Sequence, residues 1–101
     1  MEIIGNFIRN YDIVEGEKNG KAWRRTNFTI MTTDGNSCLT DGRSRVVGFT
    51  VFGSEKVAMV QMLNSGDTIS VQFYPESREF GGKIYTELNV VKILVLKPLK
   101  A

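Results

Sequence analysis

The chain has 101 residues, 42% of them hydrophobic and 24% charged, with 13 Lys and Arg against 11 Asp and Glu for a net charge of +2. Such a chain makes one domain with one core and is too apolar for disorder, while its apolar runs fall short of the ~18 residues of a membrane span. It holds no histidine and a single cysteine, so the usual zinc, copper, Ser-His and Cys-His chemistries lack their parts, and neither a metal nor a cofactor is expected.

The acids show no clustering beyond Glu15 and Glu17, so no catalytic constellation stands out and no enzyme is expected. The lone Cys38 has no partner for an internal disulfide and fits a reducing compartment. The opening MEIIGNFIRN carries an acid where a secretory signal carries positive charge, which points to the cytoplasm.

Residues 2–11 read as a first strand, apolar at Ile3, Ile4, Phe7, Ile8 and Tyr11, with Gly5 at a bulge or coil. Residues 12–21 read as a polar loop with a turn signal at Asn19-Gly20. Residues 22–32 read as a second strand. Arg24, Thr26, Phe28 and Ile30 share one face; Trp23, Arg25, Asn27, Thr29 and Met31 share the other. A polar loop over 33–45 carries Gly35, Gly42, Arg43 and Arg45. In the third strand Val47, Phe49 and Val51 alternate with Val46, Gly48, Thr50 and Phe52, the period of a half-buried strand.

Gly53 ends that strand, and Ser54 is placed to cap a helix with Val57, Val60 and Leu63 along one face. Met59 and Met62 read as core or flank filler. After Asn64-Ser65-Gly66-Asp67, a fourth strand alternates Ile69, Val71 and Phe73 with Thr68, Ser70, Gln72 and Tyr74. Pro75 kinks it or marks an edge. Residues 76–80 carry it outward to a two-glycine turn at Gly81-Gly82. A fifth strand follows over 83–93, and LVLKPLKA closes the chain. The domain is set at residues 1–96, with 97–101 as a short basic tail. Five strands with one short helix between the third and fourth is the element order of the OB-fold barrel, so an all-β fold is expected.

Three stretches, NFTIMTTDG at 27–35, VVGFTVFGSEKVAMVQMLNSGDTISV at 46–71 and REFGGKIYTELNVVKI at 78–93, resemble bacterial and phage single-stranded-DNA-binding proteins. The resemblance implies an OB-fold around which DNA wraps, with bases stacked on aromatic side chains, in support of replication, recombination or repair. Phe52 matches the family's phenylalanine at the end of the third strand, and Phe80 matches the tryptophan of its long hairpin. Two other family tryptophans fall at or near Asn36 and Val46 and are replaced here. Bacterial members end in a disordered acidic tail that recruits partners. This chain ends in a basic one, which points to a small phage, plasmid or accessory variant.

A binder of single strands needs positive charge along the backbone path and flat faces for the bases. Phe52 lies on the face opposite Phe49 and either meets a base or packs under a loop or a neighbouring subunit. Phe80 sits beside the glycine turn, where a bare ring is poor surface design. Trp23 shares a face with Arg25 and either replaces the missing tryptophans or caps the barrel rim. Tyr74 and Tyr85 alternate outward. Arg24, Arg25, Arg43, Arg45, Arg78 and Lys83 lie on or beside loops that meet at a barrel mouth. The expected partner is single-stranded DNA, with a homo-oligomer, dimer or tetramer, formed by the apolar first strand pairing with its mate. The alternatives are a primosome-like or RNA-binding OB module and a protein-interaction domain that buries the same rings.

Overall fold

The computed structural model describes residues 1–33 and 44–98; Cys38, Arg43 and the last three residues of the basic tail lie outside them. The described chain forms β1 (Glu2–Asn10), β2 (Val14–Lys18), β3 (Lys21–Thr33), β4 (Ser44–Phe52), α1 (Ser54–Gln61), β5 (Thr68–Phe80) and β6 (Lys83–Lys97). The sheet order is β1-β5-β6-β4-β3-β2, and β1 also pairs with β3. That last pairing closes five of the strands into a barrel and leaves β2 as an outlying hairpin arm. The order and the helix between β4 and β5 are those of the OB-fold.

The closure depends on β1. Its residues 2–6 pair with β5 and its residues 6–10 with β3, with an irregularity between Phe7 and Arg9. Gly5 lies where the strand crosses beneath β3. A Cβ there would stand 2.7 Å from the Met31 carbonyl oxygen and 2.9 Å from Ile30 Cδ1, so only glycine lets the backbones meet. The opposite seam is thin, because β4 and β6 run parallel and meet in register only at Thr50 and Asn89.

Inward residues follow the alternation expected from the sequence. Phe28, Ile30, Phe49, Val51, Ile69 and Val71 are buried, and Val57, Val60 and Leu63 seal one end of the barrel from α1 and its exit. A row of rings crosses the core. Phe7 and Phe28 have centroids 5.9 Å apart, Phe28 and Phe49 stack at 5.2 Å, and Phe49 meets Phe73 edge-on at 5.2 Å. Phe7 therefore points into the core and is no part of an exposed first-strand face. Met59 packs against the cluster, whereas Met62 at the helix end is exposed rather than filler.

Three expectations change. Residues 14–18 are a strand, paired antiparallel with β3 across Asn19-Gly20. Both turn residues have positive φ, 53° and 78°, the signature of a two-residue hairpin turn. The arm lacks apolar alternation because neither of its faces reaches the core. Ser54 is not the helix cap; Gly53 is, with φ 104° and no side-chain cap bond. The chain must reverse at once after Phe52, and only a left-handed residue does so. β5 runs unbroken through Pro75, which pairs with Leu88 and lies past the end of the β1 ladder at Gln72, the edge position expected of it; the irregularities fall between Thr68 and Ile69 and between Gln72 and Phe73. β6 continues to Lys97, past the expected strand end at 93, with Leu94, Val95 and Lys97 paired to β5.

The 64–67 turn locks helix to barrel. Asn64 N–H donates to Asp67 Oδ2 at 2.9 Å, Phe7 N–H to the Asp67 carbonyl at 2.8 Å, and Gly66 N–H to the Phe7 carbonyl at 2.7 Å.

Two substitutions test this packing. Phe49→Ala removes the ring that touches both Phe28 and Phe73, and is expected to lower unfolding free energy by about 3–5 kcal/mol. Gly5→Ala is expected to cost about 1–3 kcal/mol by overpacking against the Met31 carbonyl. Urea midpoints of both variants against the parent check the pair, and a Gly5→Ala midpoint equal to the parent's contradicts the close crossing of β1 under β3.

Candidate nucleic-acid interface

The outer face of β3 and β4 carries the first group of rings. Trp23 faces Gly16 across the β2–β3 ladder, and a Cβ on Gly16 would fall 2.3 Å from the indole ring. The indole thus lies against bare backbone on the β2 side. On the β4 side it stacks with Phe52, with centroids 6.0 Å apart and planes inclined by 29°. Phe52 itself is 53% exposed. Arg25 pairs across the ladder with Phe52, and its guanidinium carbon lies 6.0 Å from the indole centroid. Two rings and a cation thereby form one shelf.

The second group stands on the β5–β6 hairpin, which projects from the barrel and is closed by Gly81 and Gly82, both with positive φ. Tyr85 faces Arg78 and Lys83 faces Phe80 in its register. Phe80 is 77% exposed and Tyr85 51%. Arg25, Arg78, Phe80, Tyr85 and Glu87 line one cleft of about 410 Å³, so the barrel shelf and the hairpin face a common space. Tyr74, at the hairpin base opposite Asn89, is exposed on the same strand.

A neighbouring groove of about 470 Å³ was not foreseen. Tyr11, Asn27, Thr29, Gly48, Thr50 and Glu87 contribute to it. Gly48 forms an open floor, since a Cβ there would meet only Thr29 Cγ2, at 3.9 Å. Arg9 lies 4.1 Å over the Tyr11 ring. Hydrogen bonding from Arg9 first, then Thr29, holds the Tyr11 phenol below its ordinary pKa.

The structure thus gathers Trp23, Arg25, Phe52, Arg78, Phe80, Lys83 and Tyr85 about one region. Arg24 is not among them. It lies on the other face of β3, half-buried, with Nε 3.9 Å from Glu15 Oε2 and no hydrogen bond at that nitrogen. Arg45 sits opposite Thr32 at the far end of β4, seven residues from Phe52, a span of ~23 Å along the strand. Arg43 is outside the described residues. Among the described residues no group of three potential metal ligands occurs, and no helix is long and apolar enough to cross a membrane. Tyr11, Asn27 and Glu87 escaped the sequence reading because they meet only through pairings between distant strands.

No protein-family model and no curated protein matches the chain. Solved structures do. The mitochondrial single-stranded DNA binding protein Rim1 of S. cerevisiae is similar with a TM-score of 0.68 over 99% of this chain and 95% of that one, at 19% identity. The Plasmodium falciparum SSB, solved in complex with single-stranded DNA, is similar with a TM-score of 0.61 over 96% of this chain and 93% of that one, at 16% identity. At such identities the likeness is one of fold, and it agrees with the barrel order read from the strands.

Gly16→Ala tests the shelf. The added methyl has no room beside the indole, so Trp23 is expected to swing outward, with a red shift in its fluorescence and little loss of stability. An emission spectrum identical to the parent's contradicts the seating of the indole on Gly16.

Proposed function

We propose that the protein binds single-stranded DNA without reading a defined sequence, by stacking bases on exposed rings and by pairing phosphates with Arg and Lys, and that it performs no catalysis. The observation that supports this most directly is the cleft that sets Arg25 and Arg78 beside Phe80 and Tyr85, with the Trp23–Phe52 shelf adjoining. Stacking suits every base because each has a π-face, and it contributes about 1–3 kcal/mol per base. The shared fold adds support, since both Rim1 and the Plasmodium protein are named for binding single-stranded DNA. A role in replication, recombination or repair follows from such binding. Self-association belongs to the same reading: Ile4, Leu94 and Leu96 are exposed on β1 and β6, either side of β5, and offer apolar area to a second copy.

Oligo-dT titrations test the reading in two ways. With about three to five phosphates neutralised, log affinity is expected to fall against log salt with a slope of about −2 to −3.5. Phe80→Ala, which removes a ring outside the core, is expected to weaken binding about five- to 150-fold at an unchanged melting temperature. Affinity indifferent to both salt and Phe80 contradicts the mechanism.

A further inference from the structure

A carboxylate stands in a region otherwise suited to a polyanion. Glu87 lines both spaces, the hairpin cleft with Arg25, Arg78, Phe80 and Tyr85 and the adjoining groove with Asn27, Thr29 and Thr50, and so marks where the two meet. Its partner across the ladder is Glu76, which sets two acids side by side on one hairpin face. Like charges directly opposite weaken a strand pair. Arg78 relieves this only loosely, with Nη2 3.7 Å from Glu87 Oε2, beyond hydrogen-bond length. A sequence that breaks a local rule without local compensation does so characteristically at a functional position.

Two side chains of the adjoining groove, Asn27 and Glu87, offer acceptors. Asn27 Nδ2 donates to the Phe49 carbonyl and to Thr50 Oγ1, each at 3.1 Å. A carbonyl can only accept, so the amide orientation is determined and Oδ1 is the atom left to offer. Glu87 likewise only accepts when ionised. The hydroxyls of Tyr11, Thr29, Thr50 and Thr86 adapt to either role. In a single strand the Watson–Crick edges of the bases are free to be read. Cytosine presents its N4 amino group, adenine its N6 amino group and guanine its N1–H and N2 amino group to an acceptor, whereas thymine presents two carbonyls about one N–H. Glutamate accepts from the cytosine amino group in known base readout.

We propose that Glu87 is a specificity-determining residue: its carboxylate accepts from the amino group of a cytosine, adenine or guanine seated where the two grooves meet, and biases binding against thymine. This rests on the single-stranded-DNA reading above and refines it. The bulk of the affinity remains stacking and phosphate pairing, with one carboxylate adding a base preference.

The test compares oligo-dC with oligo-dT of equal length, at mildly alkaline pH where cytosine is unprotonated, using the full chain, Glu87→Ala, Glu87→Gln and Phe80→Ala. Both oligonucleotides carry the same charge, so the ratio of their affinities cancels the electrostatic part. The parent is expected to favour dC, and Glu87→Ala to lower the dC/dT ratio by about fivefold, the low end for one base contact. Glu87→Gln, which keeps an acceptor but adds a donor suited to thymine carbonyls, is expected to lower the ratio mainly by strengthening dT. Phe80→Ala weakens both and keeps the ratio. Melting curves confirm that each variant is folded. A ratio unchanged in both Glu87 variants makes the carboxylate only a brace for Arg78 and overturns the inference while the single-stranded-DNA reading stands. A parent that binds neither oligonucleotide overturns both.

Discussion

The double pairing of β1 is the constraint on which the rest of the molecule rests. One strand serves two neighbours, β5 with its first half and β3 with its second. A flat ribbon cannot do this, so β1 must bend, and the irregularity between Phe7 and Arg9 lies within that bend. Gly5 lets it pass under the Met31 carbonyl, and Phe7 then drops into the core against Phe28. The Asp67 and Gly66 backbone bonds to Phe7 fasten the helix exit to the same point. Without this closure the inner faces of β3, β4 and β5 would be open to water and the row of rings would lose its enclosure.

The outer face inherits its order from the inner one. Because successive side chains on a strand alternate, burying Phe49 and Val51 turns Phe52 outward. The same reasoning on β3 puts Thr26 and Phe28 inside and Trp23 and Arg25 outside. Cross-strand register then brings Arg25 opposite Phe52, and Gly16 opposite Trp23. A slip of one residue between β3 and β4 would dissolve the shelf along with the core. The ring platform is thus a by-product of core packing, with Gly16 fitted to it.

This explains what was legible in the sequence. Period-two stretches with one apolar face, 22–32 and 46–52, assigned Phe28, Ile30 and Phe49 inward and Trp23 and Phe52 outward, and the structure agrees. The barrel order followed from counting such stretches. The arm at 14–18 was illegible because a strand with two wet faces has no hydrophobic period to show; the Asn19-Gly20 turn was its only trace. Ser54 misled because capping preferences describe side chains, while the reversal at that point is governed by backbone handedness. Glu87, Tyr11 and Asn27 are separated by up to 76 positions in the chain (87 − 11) and share a groove only once the strands are paired. No local pattern announces such a meeting. Arg24, by contrast, was drawn toward the site by sequence proximity to Arg25, although neighbours on a strand point to opposite faces.

The thin seam between β4 and β6 has a consequence for how the molecule comes apart. With a single residue pair in register, Thr50 with Asn89, it contributes the least ladder of any junction in the barrel, and the Asn89 side-chain nitrogen is buried there without a hydrogen-bond partner. Local opening takes the path of fewest bonds, and this line, between the β5–β6 hairpin and β3 and β4, has the fewest. Arg25 and Phe52 lie on one bank of the line, and Arg78, Phe80 and Tyr85 on the other. A single strand bound as proposed along the cleft would touch both banks and act as a clasp. By mass action it would stabilise the closed barrel in proportion to the logarithm of its concentration over its dissociation constant, and amide protons beside Thr50 and Asn89 would be the ones whose exchange slows first.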